Sequence, residues 1–179
     1  MRIIIIEESP LRRILVAAAL LFAGAGHAQH HQSYAGQQER EPKALSVEQV
    51  KQYLAGAGMG YAKAAELNHF PGPMHVLELA DQLKLTAEQR AATKRLMDTH
   101  KVEARGLGAE LVASERDLEQ LFRSGKVDEA VLARAVRTAA AVEGEYRLLH
   151  LETHRRMRAL LTEEQVKRYD ELRGHAAKH

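Results

Sequence analysis

Residues 74–173 are almost continuously compatible with α-helix, and this feature constrains the fold more than any other. Thr86 begins a segment that stays helix-compatible to Arg123, about 57 Å long if straight at 1.5 Å per residue, although Gly106 and Gly108 are expected to bend or loosen it. SGKVD (residues 124–128) supplies a turn and a cap, and a second long helix is predicted from there to about Leu160. Two long helices joined by such a short turn form an antiparallel hairpin.

Composition supports an all-α fold. Aromatic residues make up only 4% of the 179 residues, whereas Ala, Leu, Glu, Gln, Arg and Lys, which favour helix, are abundant. No segment of useful length alternates with period two. The sequence therefore predicts one all-α domain, with short helices flanking the long hairpin. Apolar stripes follow both long helices, at Leu107, Leu111, Leu118 and Leu121 on the first and at Leu132, Val136, Ala139, Val142, Tyr146 and Leu149 on the second.

The pattern L-[ST]-x-E-Q occurs three times, as LSVEQ, LTAEQ and LTEEQ. A hydroxyl residue followed three positions later by Glu or Gln predicts a capping box, in which each of the two residues hydrogen-bonds the backbone of the other. The preceding leucine acts as a hydrophobic staple. For the first copy we expect an ordinary cap at Ser46, with Gln49 as its partner. The other two start helices at the open end of the hairpin and comprise Leu85, Thr86, Gln89, Leu161, Thr162 and Gln165.

The N-terminus has the features of a secretory signal peptide. LRRILVAAALLFAGAGHA combines two arginines, an apolar run and small residues, which predicts cleavage after Ala28. The apolar run is too short to cross a bilayer, where ~20 residues are needed. We therefore expect an exported, periplasmic protein. It has no cysteine and cannot rely on disulfides.

The remaining chain divides into four zones. Residues 29–44 are polar and without pattern, and predict a disordered lead-in. Residues 45–73 contain two short helical candidates, 46–55 and 61–68, before the PGP linker. Residues 74–174 form the main helical domain, and residues 175–179 are a tail.

The main domain resembles the Spy/CpxP family of periplasmic chaperones and stress adaptors, whose hallmark is a pair of LTxxQ motifs. MHVLELADQLKLTAEQR is similar to the family's first short helix and first motif, and HLETHRRMRALLTEEQVKRY to the end of its long helix and the second motif. The resemblance covers roughly residues 74–173 and implies a four-helix cradle protomer that forms a homodimer. It implies binding of unfolded or misfolded envelope proteins without ATP. Some relatives are stress adaptors or heavy-metal sensors, which adds a sensor protein to the expected partners.

Histidines provide the main chemical signal. Folding the hairpin about Gly125 places His100 opposite His150, and His154 lies one turn from His150 on the same face. Imidazoles with a thioether or carboxylate can hold copper, nickel or zinc, although no cofactor is required by the chaperone function. The candidate ligands are His100, His150, His154, Met157 and Glu103. Metal-sensing relatives use HxxxM, whereas this chain has HxxM. The alternative is that His100 and His150 are semi-polar packing residues.

An enzyme and a nucleic-acid binder are both disfavoured. In HLETH, Glu152 lies about 200° round the helix from His150, unlike the glutamate of HExxH. We find no G-x-S-x-G, no phosphate-binding glycine loop and no cysteine nucleophile. A formal net charge of +2 is too small for extensive phosphate neutralisation. We expect an ATP-independent periplasmic chaperone or envelope-stress adaptor, or alternatively a heavy-metal-binding sensor or resistance protein.

Overall fold

The computed structural model describes residues 34 and 36–175; the predicted signal peptide (residues 1–28) and tail residues 176–179 lie outside the described residues. Contacts separate Met1–Gly36 from Gln37–His179, and the helices named below all lie in the second unit. All regular secondary structure in the described residues is helical, which confirms the all-α prediction. The helices are α1 (Val47–Ala55), α2 (Lys63–Glu66), α3 (Pro73–Glu78), α4 (Ala87–Arg123), α5 (Glu129–Arg158) and α6 (Glu163–Arg173).

Helices α4 and α5 form the predicted antiparallel hairpin. Thr86 caps α4, and the Asp128 side chain accepts from the backbone of Ala130 and Val131 to cap α5. The expected pairing across the hairpin is confirmed, because His100 meets the residues around His150. Helix α4 continues through both of its glycines without a break.

Helix α1 packs against α4 at Gly108. A Cβ atom added to Gly108 would lie 2.0 Å from the Tyr53 carbonyl oxygen, so only glycine permits this close approach. Gly56 ends α1 in the left-handed conformation (φ 68°) beside Ala104. The role of Gly108 is therefore to admit α1, a tertiary role that helix propensity does not reveal.

The second short helix predicted in this region, residues 61–68, is reduced to the single turn α2. Its N-cap residue is Ala62, which makes no side-chain capping bond, so the first turn lacks the support that Ser46 gives α1. His69 adopts a left-handed backbone (φ 69°) that redirects the chain towards α3.

Two apolar clusters hold the unit together. The open-end cluster joins α3, α4, α5 and α6, with Val76, Ala80, Leu83, Leu85, Leu96, Met157, Leu161, Val166 and Tyr169 buried. The middle cluster joins α1 to the hairpin through Tyr53, Ala104, Leu111, Val112 and Tyr146. No residue from position 115 to 138 is buried, and we call this end of the hairpin the arm.

The lead-in predicted as disordered (residues 29–44) is packed at its end. Pro42 is fully buried, and the Lys43 backbone N–H donates to Glu119 Oε2 at 2.8 Å. The Lys43 ammonium also pairs with Glu119. Polar composition concealed these contacts, because a single proline and two long-range ion pairs, Lys43 with Glu119 and Glu41 with Arg123, leave no periodic signal. The packed part of the chain therefore begins before Leu45.

Candidate functional site

The two LTxxQ motifs meet at the open end of the hairpin. Gln89 Nε2 donates to Gln165 Oε1 at 2.8 Å, and Gln165 Nε2 donates to Gln89 Oε1 at 2.9 Å. Gln89 Nε2 also donates to Leu160 O at 2.8 Å, while Gln165 Nε2 donates to Leu83 O at 3.2 Å. Each glutamine therefore reaches the backbone just before the opposite motif. We call the pair of Gln89 and Gln165 the glutamine clasp.

The clasp uses the full hydrogen-bonding capacity of both amides. A glutamine amide has two N–H donors and one oxygen with two lone pairs. Each Oε1 accepts from the partner amide and from its own N-cap backbone, Thr86 N at 3.0 Å and Thr162 N at 2.9 Å. A glutamate can complete a capping box but cannot donate. The clasp therefore requires glutamine at both positions.

The first motif copy is an ordinary cap, as expected. Gln49 N donates to Ser46 Oγ at 3.1 Å, and Ser46 N donates to Gln49 Oε1 at 2.8 Å. Gln49 is exposed, whereas Leu85 and Leu161 of the other copies are buried in the open-end cluster. Thus all three copies cap helices, and two of them also join the ends of the hairpin.

His100 and His150 lie against each other inside the hairpin. Their ring centroids are 4.6 Å apart, and His100 Nδ1 is 3.0 Å from Thr153 Oγ1. The His150 ring also contacts Tyr146 at 4.7 Å between centroids, and its Nε2 is buried without a hydrogen-bond partner. The sequence prediction of a facing histidine pair is therefore correct in geometry.

The buried histidines favour the neutral form. Burial lowers the pKa of His150 to about 4, with further contributions from the charges of protonated His100 and His154. Burial also lowers the pKa of His100, assisted by His154. Neutral imidazoles can ligate a metal or exchange hydrogen bonds with an uncharged group.

The five candidate metal ligands do not all lie together. Met157 is fully buried in the open-end cluster, and Glu103 is exposed. His154 lies beside the histidine pair, but its Nδ1 donates to Phe70 O at 2.8 Å. Within the part of the chain that the structure describes, no group of three or more His, Cys, Asp or Glu side chains is placed to hold a metal ion. Metal binding stays a prediction, with Met157 and Glu103 outside the histidine group.

A cavity of about 630 Å³ opens beside these histidines. Its walls come from residues 55–67, from residues 72–75 and from the facing sides of α4 and α5. Three methionines line it, Met59, Met74 and Met97. We call it the histidine cavity. Sequence reasoning missed it, because the segment that closes it lies before the PGP linker and outside the recognised motifs.

Polar contacts fix the segment that closes the histidine cavity. Tyr169 OH donates to Glu66 Oε1, and Gly72 N donates to Glu66 Oε2 at 3.1 Å. The His69 ring nitrogen Nδ1 lies 2.6 Å from Asp170 Oδ2. A Cβ atom on Gly72 would lie 2.9 Å from His154 Cε1, so this glycine lets the imidazole sit against the chain.

Tyrosines hold the other side of the segment. Tyr146 OH donates to Ala57 O at 2.6 Å, and the Tyr53 and Tyr61 hydroxyls are 2.7 Å apart. Tyr61 OH also donates to Glu143 Oε1 at 2.7 Å. Burial raises the pKa of Tyr146 to about 12, so this hydroxyl stays protonated and keeps its hydrogen bond to Ala57 O. The closing segment is therefore bonded to α5 at one side of the cavity and to α6 at the other.

In the described part of the chain, no helix is long and apolar enough to cross a membrane. No curated protein and no solved structure matches the chain. The model of the LTXXQ motif family matches residues 73–173, more than half of the chain, and the match contains both motifs of the clasp. It begins at α3, so α1 and α2 lie outside it. The chain therefore belongs to the LTXXQ motif family, the family of Spy/CpxP type.

Proposed function

We propose that the protein is a periplasmic, ATP-independent chaperone or envelope-stress adaptor that binds partly unfolded envelope proteins. Membership of the LTXXQ family supports this class of function, since the family is typically periplasmic. Export by a signal peptide at residues 1–28 belongs to the same proposal. A sensor protein as a second partner also belongs to this proposal.

The arm is the observation that carries the chaperone proposal. Phe122, Val127 and Val136 are 60%, 40% and 48% exposed there, and no residue of the arm is buried. A groove between its two helices is lined by apolar side chains together with Arg134, Asp117 and two hydroxyl residues, Ser114 and Thr138. Exposed apolar surface next to charge binds unfolded chains loosely, and the charges speed the encounter.

A homodimer belongs to the same proposal. The arm is only two helices thick, and its apolar side chains lack the covering layer that α1, α3 and α6 give the rest of the hairpin. Pairing of equivalent surfaces is the commonest way in which such faces are covered. An unfolded client and a second copy of the chain would then both contact the exposed apolar surface of the molecule.

Suppression of client aggregation tests the proposal. Protein lacking residues 1–28 is mixed with a thermally unfolding client, with and without a chelator, and light scattering is recorded. We expect suppression that the chelator leaves unchanged. The double variant Phe122→Ser and Val136→Ser should suppress less, whereas Val102→Ser and Leu148→Ser, exposed residues outside the arm, serve as the matched control. Absence of suppression by the parent protein contradicts the chaperone proposal, and equal losses in both variants contradict the role of the arm.

A second candidate function, metal sensing or resistance, is favoured by the histidine pair. Copper, nickel or zinc should raise the melting temperature, because a ligand of the folded state stabilises it. The gain should fade as the pH falls towards 4, because the lowered pKa of His150 keeps this imidazole neutral and able to ligate until then. His150→Ala should abolish the gain and His175→Ala should not, in a chain with His30 and His31 replaced by serine. An equal gain with His150 replaced would leave the histidines as packing residues.

A further inference from the structure

The histidine cavity is larger than the site of a single metal ion. Its volume of about 630 Å³ lies within the range of pockets that enclose small organic molecules, ~300–1,000 Å³. It is bounded on one side by the segment before α3, which is bonded at both edges to α5 and α6. It is thus a built cavity between packed elements, with the size of an organic ligand.

The charges around the cavity favour an anion. Four basic side chains line it, Lys63, Lys101, Arg105 and Arg173, against the single carboxylate of Glu66. That carboxylate already accepts bonds from Tyr169 and Gly72, and Arg173 Nε lies 3.9 Å from it. Lys101 and Arg105 are exposed one turn apart on α4, at the mouth of the cavity. The excess of positive charge attracts anions.

The walls of the cavity favour an apolar ligand body. Met59 and Met97 are half-buried in the wall, and Met74 and Leu67 remain about half exposed beside it. Thioether side chains are flexible and polarizable, so they adapt to an irregular apolar ligand. Much of the remaining wall is glycine and alanine from residues 55–62, which leaves a smooth surface. Half-exposed apolar side chains gain contact area when a hydrophobic group covers them.

We propose that the histidine cavity binds a hydrophobic monocarboxylate of the medium-chain fatty acid type. The alkyl chain lies against the three methionines. The carboxylate remains at the mouth, where Lys101 and Arg105 bind it and water still reaches it. This site differs from the arm proposed for unfolded proteins, so the inference does not depend on chaperone activity.

Titration calorimetry with a set of small probes tests the charge and the chain separately. Decanoate should bind the full protein lacking residues 1–28 with one site per chain. Decanol lacks the charge, decyltrimethylammonium reverses it, and acetate lacks the chain. Decanol and decyltrimethylammonium should bind at least about tenfold more weakly than decanoate, since a charge-assisted bond is lost. Acetate should show no binding, since it lacks the apolar contact. Equal affinity for decanol and decanoate overturns the proposal.

Methionine methyl signals locate the ligand. Four of the five methionines of the chain lie after residue 28, so a sample with carbon-13 methionine methyls gives a short and assignable spectrum. Decanoate should shift the signals of Met59, Met74 and Met97 and leave that of Met157, which is buried in the open-end cluster. Shifts confined to other signals, or none, would place the ligand elsewhere and contradict the site.

Matched charge variants test the mouth of the cavity. Lys101→Ala with Arg105→Ala should weaken decanoate binding about tenfold, because both cationic partners of the carboxylate are removed. Arg134→Ala with Arg137→Ala removes the same charge from the arm and should leave the affinity unchanged. None of the four side chains is buried, so both variants should fold, which circular dichroism checks. Equal weakening in both variants would show that the affinity depends only on the net charge of the protein, and would overturn the proposal.

Discussion

At the scale of single residues, Gln89 joins a local cap to a long-range contact. Gln89→Glu keeps the capping box, because glutamate serves that position, but it removes both N–H donors that Gln89 contributes to the clasp. Leu160 O and Gln165 Oε1 then lose the Gln89 N–H groups that donate to them and lie next to a carboxylate. We expect the free energy of unfolding to fall by about 2–3 kcal/mol, the cost of polar groups left without donors. Urea denaturation measures the loss.

The first motif copy provides the control for the clasp. Gln49→Glu makes the same chemical change in an exposed capping box. The free energy of unfolding should change by no more than ~0.5 kcal/mol, as at most surface positions. Equal losses in Gln89→Glu and Gln49→Glu would show that the clasp adds nothing to the caps.

His150 makes stability depend on acidity. Its pKa is about 6.5 in the unfolded chain and lowered to about 4 in the fold, chiefly by burial. Between about pH 4 and pH 6.5 the unfolded chain binds a proton at this histidine that the folded chain does not. The contribution of neutral His150 to the free energy of unfolding is therefore complete above about pH 6.5 and is lost as the pH falls towards 4. We expect a loss of about 1–2 kcal/mol between pH 7 and about pH 5, allowing for water in the adjoining cavity.

The substitution His150→Gln isolates this effect. Ion pairs lower the pKa of carboxylates such as Glu119 and Glu163. These carboxylates are present in both proteins, so their contributions to the pH dependence of stability cancel in the comparison. The difference in unfolding free energy between parent and variant should therefore shrink as the pH falls. A difference that stays constant from neutral to acid pH would contradict the neutral, buried state of His150.

At the scale of helices, α1 depends on Gly108. In Gly108→Ala the new methyl group would strike the backbone oxygen of Tyr53, which cannot move unless α1 shifts. We expect a loss of about 1–3 kcal/mol, the usual cost of overpacking, together with a changed near-ultraviolet signal from Tyr53, Tyr61 and Tyr146. Gly106→Ala is the control, since nothing lies within 4 Å of its added Cβ. It should stabilise α4 by up to ~1 kcal/mol, and equal stabilisation by both substitutions would contradict the docking of α1.

The helices were predictable from the sequence because their signals are local. Thr86, Asp128 and Thr162 each mark a helix start within a few residues, and the short turn between the long helices determines how His100 faces His150. The cavity was not predictable, because the segment that closes it is held by contacts distant in sequence, such as His69 with Asp170.

Met157 illustrates the same limit. It follows His154 by about one turn of α5, and helical spacing alone would place both at one site. Helices α3 and α6, however, cover the side of α5 that carries Met157, and it joins their apolar cluster. Sequence spacing gives the angle of a side chain on its helix, but the packing partners decide what that side chain meets.

At the scale of the whole molecule, burial decreases along the hairpin. The open end has a core from four helices and the clasp, the middle has α1 on one side, and the arm has two helices without a buried residue. Local opening costs least where few apolar side chains are buried. The molecule therefore combines a firmly packed end with an arm that we expect to open at little cost, a property that the proposed binding of unfolded chains would use.

Hydrogen exchange measured by mass spectrometry tests this gradient. At low protein concentration, amides of residues 116–137 should exchange faster than those of residues 90–111 and 139–157, because local opening of the arm exposes no core. If a second copy covers the arm, its exchange should slow as the concentration rises while the open end stays unchanged. An unfolded client should slow the same amides. An arm protected as well as the open end in dilute protein would contradict both the gradient and the proposal that the arm binds clients.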